Sequence, residues 1–272
     1  KASFTVGQSD GTVKLGVISE GVVTDLGTVD STARPISMGD KVFYLPQTQD
    51  TTVKAGAVTD WNTNQTKFSN VMGVMDQSYQ VDTLNQAIWV SKYFAPYGTE
   101  LVKIGLDSDG KLSSVMAKDI ASGTNSGMTS SKSGSGQIDG AVLPDGRFIF
   151  SANNGITGVE PWISDGTSSG TLQLRDLYIS SSSKNGSSTA NSNPSGFVTL
   201  GEKVVFTAQV NRMTDGTLTE KGRELVISDG TEAGTVFYDL NQGSSSSSPQ
   251  MIGLLGDYLY FAAQNAIYKT NG

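Results

Sequence analysis

The sequence predicts an all-β fold, and three observations support this prediction. Short runs rich in Val, Ile, Phe, Tyr and Leu alternate with Gly, Asp, Asn and Ser along all 272 residues, as strands separated by turns do. No segment keeps an apolar period of 3.6 residues, so no significant helix is expected. Four kinds of run recur about every fifty residues, which predicts a repeat architecture.

The first kind of run follows a short Gly, Asp or Asn turn and marks the repeat most clearly. Its copies are GDKVFYL (39–45), NQAIWVS (85–91), DGRFIFSA (145–152), GEKVVFTA (201–208) and GDYLYFAA (256–263), with KASFTVG (1–7) as a sixth. The aligned residues Tyr44, Val90, Phe150, Phe206 and Phe261 are spaced by 46, 60, 56 and 55 residues.

The other three kinds of run complete each unit. The second kind precedes a turn of the SDGT type, at 14–21, 52–60, 100–110, 160–166, 224–230 and 266–272. The third kind ends in an acidic-apolar pair, at 22–26, 115–120, 172–177 and 236–240, with 68–74 as a poorer copy. The fourth kind is found at 34–38, 137–143, 195–200 and 249–255. We expect SDGT to be the turn between the second and third runs, because Asp can bond the backbone two residues on and Gly supplies a positive φ.

Four strands per unit, repeated about five times, predict a β-propeller of five or six four-stranded blades rather than a sandwich. One such sheet cannot bury both faces alone, but like sheets packed around an axis can. The chain opens on a first-kind run and ends on a second-kind run. We therefore expect residues 1–272 to form a single β-propeller domain with both termini in one blade, as a piece of a larger secreted chain.

Two segments, GVEPWISDGTSSGT and GRELVISDGTEAGT, resemble the ELWxxDGT-type (hyalin-like) repeats of large bacterial secreted and surface proteins, as do the following NPSGFVTLGEKVVFTA and SPQMIGLLGDYLYFAA. The resemblance is good over 153–272, fair over 98–152 and weak over 1–97. It implies a propeller architecture and an extracellular or cell-surface location. It includes no catalytic motif and names no ligand, so no functional residue is transferred.

Composition argues against several functional classes. The formal net charge is −7, whereas a nucleic-acid partner requires a basic face. The chain has no His and no Cys, which removes the Ser-His-Asp triad, thiolate chemistry and the usual zinc ligands. No run of 18 apolar residues is present, so no membrane span is expected.

Long irregular connections predict a ligand-binding face. Successive strands run antiparallel, so the connections after the first and third runs lie on the same side of each blade. One set is 91–98, 152–158 and 208–222, and the other is 121–136, 179–196 and 241–249. Variable loops on a rigid scaffold often bind ligands. The candidate contacts are Tyr93, Phe94 and Tyr97, whose rings could stack on a sugar or an apolar partner, together with Asn153, Asn154 and Arg212.

Carboxylates recur once per unit at two positions. Glu100, Glu160 and Glu224 open second-kind runs, and Asp119, Asp176 and Asp239 close third-kind runs. If Ser228 pairs with Thr235, Glu224 lies opposite Asp239, and the longer fourth unit sets Glu160 opposite Arg175 and beside Asp176. Facing carboxylates repel unless they are neutralised. We expect salt bridges between blades, made by Arg223, Lys118 or Arg175, with calcium held by oxygen ligands as the alternative.

A separate calcium site is a candidate at Asp107 and Asp109 in LDSDGK (106–111), which resembles a D-x-D-G loop but lacks the downstream Glu. Apart from calcium, no cofactor is required.

The predicted function is an extracellular or surface-displayed binding or adhesion module whose partner is a glycan or a surface protein. One alternative is a glycosidase-like propeller with paired carboxylates. The other is a structural segment of a surface fibre or layer. An enzyme needs an acid and a base that converge on one deep pocket, whereas these acidic residues recur once per blade, which favours a non-enzymatic role.

Overall fold

The computed structural model describes residues 2–10, 12–47, 52–63, 65–74, 79–128, 138–179, 190–215 and 217–272. Within these ranges every regular element is a β-strand. The described residues include no helix that is long and apolar enough to cross a bilayer.

The strands of the described residues form six sheets, which we call blades 1 to 6 in chain order. Blade 1 contains β1 (Ala2–Gly7), β2 (Thr12–Ser19) and β3 (Val22–Asp30). Blade 2 contains β4 (Arg34–Met38), β5 (Lys41–Leu45), β6 (Val53–Asp60) and β7 (Thr66–Met72). Blade 3 contains β8 (Tyr79–Asp82), β9 (Ala87–Phe94), β10 (Gly98–Leu106) and β11 (Leu112–Met116).

The last three blades follow the same order. Blade 4 contains β12 (Gly140–Val142), β13 (Phe148–Asn153), β14 (Val159–Ser164) and β15 (Leu172–Gln173). Blade 5 contains β16 (Ser195–Leu200), β17 (Lys203–Thr214), β18 (Thr217–Ser228) and β19 (Val236–Tyr238). Blade 6 contains β20 (Gln250–Leu255), β21 (Tyr258–Ala263) and β22 (Ala266–Thr270).

Strands that are neighbours in the chain are neighbours in each sheet, which is the blade pattern of a β-propeller. The predicted all-β propeller fold class is therefore confirmed. Each strand matches one of the four kinds of run, and β8 is a further fourth-kind strand that we did not identify from the sequence.

The two termini belong to different sheets, because β1 lies in blade 1 and β22 in blade 6. The expectation that both lie in one blade is wrong. Each terminal strand instead pairs with its neighbour in the chain, β1 with β2 and β22 with β21. Among the described residues, blade 1 thus has no fourth-kind strand and blade 6 has no third-kind strand. The number of blades in a closed ring stays a prediction, as does the single domain.

The chain has two compact units. The first comprises residues 2–94 and 102–115, and its apolar clusters lie between blades 1 and 2 and between blades 2 and 3. The second comprises 95–101, 116–128 and 138–272, with clusters between blades 4 and 5 and between blades 5 and 6. In both units, apolar side chains between adjacent sheets form the core, as stacked repeats require.

The SDGT turn has the same hydrogen bonds in blades 4 and 5. Asp165 Oδ1 accepts bonds from the backbone N–H and the hydroxyl of Thr167, at 2.8 and 2.7 Å. Asp229 makes the equivalent bonds to Thr231 at 2.9 and 2.7 Å. A Cβ on Gly170 would lie 2.2 Å from the carboxyl carbon of Asp165. This packing explains why the phrase recurs as SDGTxxGT, and it confirms the predicted turn.

Candidate ligand-binding face

Within the second unit, the long connections after β11 and β15 pack at the end of the sheets where Thr99 and Asn153 lie. In the connection after β11, Met128 N–H donates to the Thr99 carbonyl at 2.9 Å, and the Gly127 carbonyl accepts from Asn153 N–H at 2.8 Å. In the connection after β15, the Ser192 carbonyl accepts from Gln209 N–H at 2.7 Å. We call this end, formed by the connections after first-kind and third-kind strands, the loop face.

In each of blades 3, 4 and 5, a buried glutamate holds the following connection by hydrogen bonds. Glu100, Glu160 and Glu224 are all 0% exposed. Each uses its two carboxylate oxygens to accept two backbone N–H groups. The donors are Ile120 (3.0 Å) and Gly127 (2.8 Å) for Glu100, Leu177 (2.9 Å) and Ser192 (3.0 Å) for Glu160, and Leu240 (3.0 Å) and Ser247 (2.8 Å) for Glu224. One donor closes the third-kind run and the other lies in the long connection, so each glutamate ties the two together.

The surroundings of Glu100 and Glu160 favour the protonated form of these two side chains. Burial raises the pKa of Glu160 to about 8, and the nearby Asp176 raises it further, although the N–H donors oppose the shift. Burial likewise raises the pKa of Glu100 to about 7, with a smaller contribution from Asp119. The pKa of Asp176 is also raised by burial.

The predicted salt bridges between blades are wrong for these glutamates. In the described part of the chain, none of the three glutamates is in an ion pair. Asp239 does form one, with Lys221 at 2.9 Å, but inside its own blade. Each glutamate instead accepts hydrogen bonds from fixed backbone N–H groups, and for Glu100 and Glu160 these bonds offset only part of the rise in pKa that burial causes.

Two basic side chains, Lys118 and Arg175, each reach a turn of the following blade through a backbone carbonyl. Lys118 donates to the Thr171 carbonyl at 2.9 Å, and Arg175 to the Thr235 carbonyl at 2.5 Å. Arg223 instead donates to the Asn193 carbonyl at 2.9 Å, in the segment that leads into the first strand of its own blade, and it interacts electrostatically with the Asp139 carboxylate. Lys118 and Arg175 therefore stabilise turns of the following blade, and Arg223 stabilises the segment before β16.

The aromatic candidates differ in exposure. Tyr93 is 62% exposed and Tyr97 is 42% exposed. Phe94 is half-buried and packs on the cluster between blades 2 and 3. Tyr93 and Phe94 belong to the first unit and Tyr97 to the second. Tyr97 is therefore the exposed ring that the second unit contributes to the loop face.

The two asparagine candidates shape their own turn. Asn153 Oδ1 accepts from Gly155 N–H at 2.8 Å. Asn154 Oδ1 accepts from the N–H groups of Ile156 and Thr157 at 2.8 and 2.9 Å. These bonds hold Ile156 at the tip with 56% of its surface exposed. Ile156 is therefore an exposed loop-face residue that we did not identify from the sequence.

Arg212 lies in a regular hairpin rather than in an irregular connection. Strands β17 and β18 stay paired as far as Thr214 and Thr217, with one bulge at Val210/Asn211. Arg212 is exposed, and its neighbour Met213 is 52% exposed. The Asp215-Gly216 pair between alternating residues is the sequence signal that would have predicted this hairpin.

The base of this hairpin is fixed by Asn211. Its Nδ2 donates to the Ile179 carbonyl at 2.8 Å, and its Oδ1 accepts from Ile179 N–H at 2.9 Å. Asn211 N–H donates to the Leu177 carbonyl at 3.0 Å. The projecting hairpin of blade 5 is thus held by the segment that follows β15.

The two metal candidates lie in a tight turn between β10 and β11. Asp107 Oδ1 accepts from the N–H groups of Asp109 and Lys111, both at 2.9 Å. Over the ranges that the structure describes, no group of three or more Asp, Glu, His or Cys could hold a metal ion. Calcium at Asp107 and Asp109 stays a prediction. In the structure, Asp107 stabilises the turn by accepting two backbone N–H groups.

No protein-family model matches the chain, and no curated protein matches it. Solved structures with a likeness to it include hydrazine synthase from Kuenenia stuttgartiensis, with 14% identity, a TM-score of 0.38, and coverage of 94% of this chain and 69% of that one. For the β-propeller domain of the Trilobed protease from Pyrococcus furiosus, the identity is 10% and the TM-score is 0.41, and the match covers 100% of this chain and 84% of that one. For TolB from Acinetobacter baumannii, the identity is 14% and the TM-score is 0.36, and the match covers 99% of this chain and 61% of that one. At these TM-scores, the fold assignment rests on the strand pairing and not on the likenesses.

Proposed function

We propose that the chain is a binding module, displayed outside the cell or on its surface, that holds a glycan on its loop face. The observation that most supports this proposal is that hydrogen bonds fix the segments of the loop face. Exposed side chains of different chemistry are presented on segments fixed by buried hydrogen bonds. Gly127 is held by Glu100, the tip at Ile156 by Asn154, and the hairpin with Arg212 by Asn211.

The chemistry of the exposed side chains favours a glycan. A tyrosine ring such as that of Tyr97 stacks on the apolar face of a sugar, and its hydroxyl can bond to the sugar rim. The guanidinium of Arg212 offers several donors to sugar oxygens. A fixed loop loses less conformational entropy on binding, which raises affinity.

The glycosidase alternative has less support. It requires a carboxylic acid and a second carboxylate that both reach the scissile bond. Glu160 has a raised pKa, as a general acid would, but it is 0% exposed and both its oxygens are bonded to backbone N–H groups. The repeated carboxylates therefore fit a structural role better than a catalytic one.

A glycan array tests the proposal. We expect binding to the intact chain, and weaker binding for Tyr97→Ala and for Arg212→Ala. Loss of one stacking contact costs about 0.5–1.5 kcal/mol, so affinity should fall roughly 2- to 12-fold for Tyr97→Ala. Leu84→Ala is the control, because Leu84 is 73% exposed in the tight turn between β8 and β9. An array without signals would contradict the proposal that the ligand is a glycan. Signals that neither substitution weakens would show that the glycan does not bind at Tyr97 and Arg212.

A further inference from the structure

A cleft of about 540 Å³ lies inside the first unit, between strand β3 of blade 1 and strands β6 and β7 of blade 2. Pockets that bind small molecules typically have volumes of about 300–1,000 Å³, so the cleft is large enough for such a ligand. The residues that line it are Thr28, Ala55, Gly56, Phe68, Ser69 and Asn70.

A bulge in β3 and a phenylalanine ring form one end of the cleft. Leu26 is the extra residue of the bulge, and the next residue, Gly27, has a φ of +118°. A Cβ on Gly27 would lie 2.4 Å from the Cζ atom of Phe68. The ring of Phe68 therefore lies directly against the backbone of β3, and only glycine leaves room for it.

An ion pair lies at the other end of the cleft, where Lys54 precedes Ala55 and Asp30 comes two residues after Thr28. Lys54 Nζ is 4.0 Å from Asp30 Oδ2. The other oxygen of Asp30 accepts from Thr32 N–H at 2.8 Å. Both charges thus have partners, and the lining residues themselves are neutral. The cleft therefore suits an uncharged ligand.

The blade 2 wall of the cleft displays a ring and an amide on the same face. Phe68 pairs with Ala57 and Asn70 pairs with Ala55, and residues two apart on a strand share a face, as do direct partners. Ala57 is buried in the cluster between blades 1 and 2, so this face is the one toward blade 1. Phe68 is 38% exposed, and Ala55 and Asn70 are also exposed.

The exposed ring distinguishes blade 2 from blade 5. Thr66 and Thr235 mark the same position at the start of the third-kind strand, because each hydroxyl contacts a hydroxyl of the second-kind strand, at 2.9 and 2.8 Å. Counting two residues onward matches Phe68 with Phe237. Phe237 is half-buried and packs on the cluster between blades 4 and 5. Blade 2 exposes more of the ring that blade 5 uses for packing.

The amide is a second difference at the same place. Counting four residues onward matches Asn70 with Asp239, which forms an ion pair with Lys221 at 2.9 Å. The third-kind runs of blades 3 and 4 also close with aspartate, at Asp119 and Asp176. Asn70 is instead neutral, and its amide offers both donors and an acceptor. The two departures from the repeat therefore coincide in the cleft.

We propose that this cleft binds a neutral saccharide, as a second glycan site separate from the loop face. The ring of Phe68 stacks on the apolar face of a sugar. The amide of Asn70 donates to one sugar hydroxyl and accepts from another. The choice of ligand class rests on the proposed glycan function, but the cleft shares no residue with the loop face.

A nuclear magnetic resonance titration of the ¹⁵N-labelled 272-residue chain tests the proposal, with neutral disaccharides of glucose, galactose, mannose and N-acetylglucosamine as probes. We expect saturable shifts in the amide signals of Thr28, Ala55, Phe68 and Asn70. Shifts confined to residues 95–99, 152–158 and 208–215 would overturn the cleft site and leave the proposed loop-face function intact. Shifts confined to the cleft would support the cleft site and contradict the loop face. A titration without shifts at either place would overturn both.

Blocking the cleft provides a matched comparison. The chain contains no Cys, so Ala55→Cys supplies a single exposed thiol in the cleft. Its alkylation with N-ethylmaleimide should abolish the cleft shifts, because the adduct occupies the ligand's place, whereas the unmodified variant should keep them. Leu84→Cys is the control, since Leu84 is 73% exposed elsewhere in the first unit, and its alkylation should leave the shifts intact.

Asn70→Ala tests the amide separately. Loss of one hydrogen bond should weaken saccharide binding roughly 2- to 12-fold, and Asn70 is exposed, so the variant should fold normally. Cleft shifts that persist after alkylation of the Ala55→Cys variant would overturn the proposal, as would an affinity unchanged by Asn70→Ala.

Discussion

At the scale of single residues, Glu160 shows how the fold uses a buried carboxyl group. Its two oxygens join Leu177 at the end of a third-kind run to Ser192 in the following connection. Glu100 and Glu224 do the same in their blades. Removing the carboxylate would leave two buried N–H groups without acceptors, each costing about 1–3 kcal/mol. The glutamate thus contributes to stability through the loops it holds.

The raised pKa of Glu160 predicts how stability depends on pH. The folded state binds the proton more tightly than the unfolded chain, whose carboxyl has its ordinary pKa of 4.5. The stabilisation is therefore fully present below about pH 4.5 and is lost as the pH rises through about 8. Each unit of pKa shift corresponds to about 1.4 kcal/mol. Urea unfolding should show a free energy of unfolding that falls between pH 5 and pH 8.5.

Glu160→Gln separates this contribution from the others. Glutamine does not titrate, so the fall with pH should become smaller. Its amide NH2 would face a backbone N–H, so the variant should also be less stable at pH 5. Glu202→Gln, at an exposed turn position between β16 and β17, is the control. An unchanged pH dependence in Glu160→Gln would show that Glu160 is ionised in the folded state.

The glycines of the SDGTxxGT turn predict a second effect at this scale. A Cβ on Gly234 would lie 2.1 Å from an oxygen of the Asp229 carboxylate, so Gly234→Ala must displace that carboxylate from Thr231. Overpacking of this kind costs about 1–3 kcal/mol. Gly7→Ala is the matched control, because a Cβ on Gly7 meets nothing within 4 Å. Equal melting temperatures for the two variants would contradict the assigned role of the turn.

At the scale of elements, the β17–β18 hairpin depends on its base. Asn211 is 6% exposed and makes two side-chain bonds to Ile179. Asn211→Ala would leave the N–H and carbonyl of Ile179 without these partners, at a cost of about 1–3 kcal/mol for each buried group. Arg212→Ala, one residue along the strand and exposed, should change stability by less than about 0.5 kcal/mol. Thermal unfolding measures both, and equal effects would mean that Asn211 does not hold the hairpin.

Strands and turns could be predicted from the sequence where the residues that determine them lie within a few positions of each other. The strands follow from apolar runs between turn residues, and the SDGT turn from Asp and Gly a few positions apart. The pairing of Ser228 with Thr235 was likewise correct, with their hydroxyl oxygens 2.8 Å apart.

The role of the glutamates was not predictable, because their partners are distant and unremarkable in sequence. Gly127 is 27 residues from Glu100, and Ser192 is 32 residues from Glu160. Both lie in connections rich in Ser, Gly and Asn. A backbone N–H is present at nearly every residue, so the sequence gives no signal for the one that binds a carboxylate. A charged side chain, by contrast, suggests an ion pair, which is why salt bridges were expected.

At the scale of the whole molecule, one set of segments in the blades forms the stable scaffold and another set displays exposed side chains. Apolar faces between adjacent sheets bury the core. The SDGT turns connect the second and third strands through short, repeated hydrogen bonds. The connections of the loop face differ from blade to blade and display exposed side chains such as Tyr97 and Met213. A ligand that is selected by variable residues should therefore bind at the loop face and leave the turns unchanged.

Hydrogen exchange measured by mass spectrometry, with and without the glycan that gives the strongest array signal, tests this most directly. We predict slower exchange in peptides that cover residues 95–99, 152–158 and 208–215, because a bound glycan would cover these loop-face segments. Exchange in the SDGT turns at 164–171 and 228–235 should stay the same. Slower exchange in the SDGT turns, with unchanged exchange in the three loop-face segments, would contradict the account.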